Sequence, residues 1–104
     1  MVTVGLLVRV HARPGKEREI EELLRDEIGL IEDETDSAAW FALRIDTATY
    51  GIFDTFDSDL GRRSYLLGKV QASLVHRSDE LFTRPPTIEK VDLLAAKLPG
   101  VGAL

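Results

Sequence analysis

Few side chains in this sequence are of types that do chemistry. Its two histidines, His11 and His76, lie far apart, and neither has a second His at the spacing of a zinc motif. Asp79 and Glu80 follow His76 by three and four residues, a spacing common on any wet helix, and no metal site is expected. His11 sits with Arg9 on the less apolar side of a strand-like run, where a neutral imidazole could act as a base or simply close the strand. Trp40, the only tryptophan, could stack on a flat ligand and offer its N–H, or fill volume in a core or a dimer contact. Tyr50 and Tyr65 each carry a phenol able to hydrogen-bond a phenol or quinone oxygen, although Tyr50, at the start of a hairpin strand, reads as structural. The run Glu32-Asp33-Glu34-Thr35-Asp36 holds four carboxylates, but no Gly bends it into a calcium loop, so a solvated connector is the expectation.

Several reaction classes are excluded by what is missing. There is no Gly-rich phosphate loop, no nucleophile elbow and no dinucleotide fingerprint, which argues against nucleotide chemistry. Cysteine is absent, which removes disulfides, thiolate metal sites and a thiol nucleophile together. With 18 acidic against 13 basic residues the net charge is −5, so nucleic acid and an acidic membrane face would be repelled. A neutral or small organic partner is easier to accommodate. Neither a long apolar span nor a signal-like leader at Met1–Val10 is visible, and a cytoplasmic location is the default. At 104 residues and 44% apolar content the chain suits one domain with a modest core.

Periodicity supplies the elements that must position these groups. Val4, Leu6, Val8, Val10 and Ala12 alternate with Gly5, Leu7, Arg9 and His11, the period of a strand. Pro14-Gly15 breaks it. Ile20, Leu23, Leu24, Ile28 and Ile31 then recur at helical steps, with Glu21 and Arg25 forming an i,i+4 pair that contributes about 0.2–0.5 kcal/mol. Ala39–Ile45 and Thr49–Phe56 read as an antiparallel hairpin around Asp46-Thr47-Ala48. From Leu60 to Phe82 the spacing is helical again, and Gly61 and Gly68 predict either a kinked helix or two short ones meeting near Leu67-Gly68-Lys69. Arg62 and Arg63 open that helix against its dipole, so at least one should pair with Asp54, Asp57 or Asp59. Arg44, Lys90, Asp54 and Asp92 are expected to pair across strands. A last strand is expected from Thr87 to about Ala96, followed by a loose tail over 99–104.

The order β-α-β-β-α-β predicts an α+β, ferredoxin-like domain: a four-stranded antiparallel sheet with helices on one face. Both faces of the middle strands carry apolar or aromatic side chains, so the uncovered face would be large and greasy for a monomer. Pairing with a second copy through that face resolves the conflict.

The stretches Tyr50–Phe56, Gly61–Gly68 and Pro85–Pro99, with the opening Val8-Arg9-Val10 through Pro14-Gly15-Lys16-Glu17, resemble the antibiotic biosynthesis monooxygenase (ABM) superfamily over nearly the whole chain. The resemblance implies a single ABM-like domain over residues 1–104 that pairs into a dimeric α/β barrel, with a cavity between helices and sheet in each subunit. Characterised relatives include oxygenases that oxidise polycyclic phenols or quinols without metal or flavin, and haem-degrading enzymes. Many members carry a His in the second helical stretch; Tyr65 is the nearest equivalent here, and a phenol is a much weaker base than imidazole near neutral pH. No axial His stands where the haem-degrading branch has one.

What the resemblance implies for activity is a monooxygenase with no cofactor, acting on a small aromatic phenol or quinol whose own anion donates electrons to oxygen. In this reading Tyr65 and Trp40 are the catalytic pair. Tyr65 hydrogen-bonds the substrate oxyanion, Trp40 and Phe53 stack, Arg9 or Arg44 lowers the substrate pKa, and His11 completes the binding set. The alternative is a non-catalytic homodimer of the same fold that binds a small ligand or serves as a stress-associated protein. The expected partners are a small aromatic molecule and a second copy of the chain.

Overall fold

Alternation and helical periodicity build the elements in the expected order: β1 (Val4–His11), α1 (Glu17–Ile31), β2 (Ser37–Arg44), β3 (Thr49–Phe56), α2 (Asp59–Leu66), α3 (Ser78–Leu81) and β4 (Thr87–Asp92). The computed structural model describes residues 2–31, 37–66, 72 and 76–98, with side chains described for 2–27, 38–63, 72 and 76–98. The acidic run 32–36, the expected helix junction at 67–69 and the tail at 99–104 lie outside the described residues. The sheet order is β2-β3-β1-β4, and every neighbouring pair is antiparallel. Together with the helices on one face, this is the ferredoxin-like α+β arrangement that the order of patterns predicts.

Register decides which side chains face the helices. Val4, Leu6, Val8 and Val10 stand opposite Phe56, Asp54, Ile52 and Tyr50. Trp40, Ala42 and Arg44 stand opposite the last three of these in turn. On this side Leu6, Val8, Val10, Ile52 and Phe56 pack with Ile20 and Leu24 of α1 and with Leu81 and Phe82 into one buried cluster. The other side carries Leu7, Arg9 and His11, Phe41 and Leu43, and Phe53, with Phe41 52% exposed.

Two turns depend on local chemistry. Gly15 takes φ +87°, a left-handed conformation in which a Cβ would be strained, and its N–H donates to the Glu17 carboxylate at 3.1 Å. Glu17 and Glu19 also put negative charge in the first turn of α1, where the helix dipole favours it. At the hairpin, Asp46 Oδ1 accepts from the Ala48 N–H at 2.9 Å and Ile45 N–H donates to the Thr49 carbonyl at 2.8 Å.

β4 is shorter than the expected Thr87–Ala96: among the described residues its partner strand is β1, which begins at Val4 opposite Asp92, and the β1–β4 ladder stops there, extended by the Leu93 N–H bond to the Thr3 carbonyl. Leu94 is accordingly 97% exposed. Arg44 also departs from the expected cross-strand pairing, because its carboxylate partner comes from α1 instead.

The odd basic start of α2 has a structural reason. Arg62 is only 9% exposed, and its Nη1 donates to the carbonyls of Gly5 and Val91, both at 3.3 Å, clamping α2 onto the β1–β4 pair. Asp59 holds the same guanidinium at 2.7 Å and takes Arg63 at 2.9 Å, which answers the expectation of an aspartate partner. Removing the clamp leaves two sheet carbonyls without a cationic donor. Arg62→Ala is therefore expected to lower the unfolding free energy by about 2–3 kcal/mol, measured by urea titration. Arg63→Ala, whose side chain is 69% exposed, should change it by under about 1 kcal/mol.

Candidate functional site

Ile20 and Leu24 anchor α1 in the core, which places Glu21 at the edge of that buried stripe and Arg25 one turn further on. Across from them the hairpin register sets Arg44 beside Tyr50. Glu21 joins the two layers: its Oε1 accepts from Arg44 Nη2 at 2.6 Å and its Oε2 accepts from the Tyr50 hydroxyl at 2.9 Å. Arg25 Nη2 approaches the same Oε1 at 3.7 Å. These side chains, with Leu24 and Ala42, line a groove of about 270 Å³ between α1 and the hairpin.

The electrostatics are those of a carboxylate held firmly as an anion. The hydrogen bond from Tyr50, then that from Arg44, holds Glu21 below the ordinary carboxylate value. Burial, reinforced by the bond to Glu21, pushes the Tyr50 phenol up, and the Glu21 contact raises Arg44. Glu21 is therefore a poor base and Tyr50 a poor acid near neutral pH. What the trio offers a ligand is fixed charge and position.

Two further carboxyls lie on the helix-facing side. Glu27 is 1% exposed and Asp54 is 0% exposed, and Asp54 stands opposite Trp40 in the β2–β3 ladder. Burying such groups requires donors, cations or protonation. Trp40 is half-buried and packs on the core, and its Nε1 has no hydrogen-bond partner among the described residues. No group of three or more His, Asp or Glu among the described residues could hold a metal ion.

The residues singled out from sequence fall on two sides of the sheet. Trp40 and Arg44 face the helices, whereas Arg9, Phe53 and His11 occupy the opposite face, so one small molecule on this chain cannot touch both groups. On that open face Arg9 approaches Glu89 at 3.5 Å, and His11 Nε2 lies 2.9 Å from Arg84 Nη2. The Tyr65 side chain lies outside the described residues. From sequence, Tyr50 reads as structural, Glu21 as half of a helix pair with Arg25, Leu24 as part of the apolar stripe and Asp54 as an ion-pair partner, and Glu27 is not singled out. Arg44 beside Tyr50 could have been read from the hairpin register, but nothing in the sequence announces that Glu21 would reach both.

A four-stranded antiparallel sheet, one face covered by helices and grooved at the α1–hairpin junction, defines a ferredoxin-like α+β protein of the ABM fold. Two solved structures called "putative antibiotic biosynthesis monooxygenase" share it. One, from Nitrosomonas europaea, has TM-score 0.76 at 10% identity and covers 88% of this chain and 98% of its own. The other, from Caulobacter crescentus, has TM-score 0.74 at 16% identity and covers 89% and 91%. At such identities the likeness is one of fold. The chain is much more similar to NE2512, a protein of unknown function from Nitrosomonas europaea, with 41% identity, TM-score 0.92 and coverage of 95% and 96%. The chain belongs to the family of that protein. No family model and no curated protein matches it. Among the described residues no helix is long and apolar enough to cross a membrane.

The Glu21 contacts set a sign for pH dependence. Because its folded value is lowered from 4.5, the stability it contributes is present above that value and is lost as pH falls through the lowered one. The stability difference between wild type and Glu21→Gln is thus expected to be constant from neutral pH to just above 4.5 and to shrink below it, as read by denaturant titration at stepped pH. A difference that grows on acidification would refute the assignment.

Proposed function

We propose that the protein is a monooxygenase that needs no bound cofactor and acts on a small phenol or quinol in the groove between α1 and the β2–β3 hairpin. The observation that supports this reading best is an apolar floor, Leu24 and Ala42, under a rim where two guanidinium groups outnumber one carboxylate. Free phenols ionise only near pH 10, and a positive rim lowers the cost of the phenolate. The phenolate is the form that gives electrons to oxygen. For a phenol with hydrogen on the para carbon, conversion to the quinone releases four electrons. One oxygen atom of O2 becomes the new carbonyl and the other leaves as water, so no outside reductant enters.

The protein's share of this chemistry is orientation, charge and exclusion of water. Arg44 holds the oxyanion, and Trp40 gives an aromatic surface on the same face of β2. Fold alone does not carry an activity, so the test is direct. Oxygen uptake with hydroquinones or anthrones is expected in air, with no turnover under argon. Arg44→Gln and Trp40→Ala should each lower kcat/KM about tenfold or more. Absence of uptake with every such substrate, alongside a melting temperature raised by flat aromatics, would replace the enzyme by a binding protein.

The same reading includes a second copy on the open face. Phe41 and Ile45 are 52% and 43% exposed there, and Phe53 of β3 and Leu7 of β1 continue the row from Phe41 across the sheet, an apolar surface that an identical face would cover. A dimer is expected in sedimentation at all practical loadings. Phe41→Asp should shift it to monomer, and a monomeric wild type at high loading would sink this part of the proposal.

A further inference from the structure

We propose that the α1–hairpin groove selects a single aromatic ring bearing a carboxylate, which docks against Arg44 and Arg25 over Leu24 and Ala42. This deepens the functional reading above and rests on its choice of groove. Arg44 comes from β2 and Arg25 from α1, yet both approach the same oxygen of Glu21, at 2.6 and 3.7 Å. The groove therefore already displays one carboxylate bound between two guanidinium groups. Each contact uses one Nη2, and with side chains 60% and 74% exposed both forks keep further N–H groups within reach of a ligand. One negative against two positive charges leaves the rim at +1 in a chain whose net charge is −5.

Carboxylate suits this rim better than phenolate alone. A carboxylate is ionised at neutral pH without help and matches the planar guanidinium fork with two parallel hydrogen bonds. At about 270 Å³ the groove lies near the small end of ligand cavities, about 300–1,000 Å³, which favours one ring over a polycyclic system. Glu21 sets the charge of the site: with its other oxygen fixed by Tyr50, it occupies part of the guanidinium surface and weakens the field that a ligand meets.

The experiment compares meta-hydroxybenzoate, whose carbon para to the hydroxyl bears hydrogen, with its neutral isostere meta-hydroxybenzamide by calorimetry or Trp40 fluorescence. The benzoate is expected to bind at least about tenfold more tightly, a preference that shrinks as salt is raised. Arg44→Gln should abolish the preference, and Arg25→Gln should reduce it. Glu21→Gln should act in the opposite direction and tighten the benzoate, which a merely structural ion pair would not do. Equal affinity for the two ligands, no benzoate binding, or a preference untouched in both arginine variants overturns the proposal. If Arg44→Gln does not fold, Arg25→Gln and Glu21→Gln still decide it by their opposite signs. A benzoate preference without oxygen uptake overturns only the oxygenase reading, and uptake of neutral quinols without a benzoate preference overturns only this one.

Discussion

The carboxylate of Glu21 accepts hydrogen bonds from Arg44 on β2 and Tyr50 on β3, so one side chain of α1 binds the helix to both hairpin strands at the mouth of the groove. Much of the site follows from that contact. It orients the guanidinium group, keeps the Tyr50 hydroxyl satisfied although the residue is only 2% exposed, and leaves an apolar floor between helix and sheet. An exposed ion pair of this kind adds little to stability. Its importance lies in fixing where charge stands, which is what a small binding site needs.

Around that contact the fold is one-sided. Every described helix packs against the face that carries Leu6, Val8, Ile52 and Phe56, and that face admits polar groups only where the architecture holds them. Arg62 shows how: its guanidinium is spread over two backbone carbonyls and Asp59, and a cation at the start of a helix becomes the device that seats it. Glu27 and Asp54 are the anionic counterpart, two buried carboxyls on the same side as Trp40. The open face is of another character. Apolar residues predominate there, with Arg9, Glu89, His11 and Arg84 in close contacts toward its margin.

The division between faces changes how the candidate residues combine. Arg9, His11 and Phe53 share strands with core residues, but pleat parity turns them away from the groove. Trp40 and Arg44 share parity with Asp54 and Tyr50 and stay with the helix side. A ligand site in this chain therefore draws on β2, β3 and α1 and leaves the exposed half of β1 to surface contacts. The family likeness to NE2512 carries no activity with it, so the argument for function runs through the groove.

Order and parity were legible in the chain itself. Alternation in Val4–Ala12 and the hairpin, helical steps through Ile20 and Leu24, and punctuation at Pro14-Gly15 and Pro85-Pro86 are local signals, because each arises from the geometry of a single element. They were enough for the four-stranded architecture and for the side of the sheet on which each strand residue stands relative to its neighbours. The end of β4 was not legible, since it is set by where β1 begins. Nor was the trio at the groove: Glu21 looks like half of a surface pair with Arg25 until α1 is laid on the sheet at one particular height. Helix placement is decided by the packing of Ile20, Leu24, Leu81 and Phe82 together, a sum over distant parts of the chain that no local period encodes.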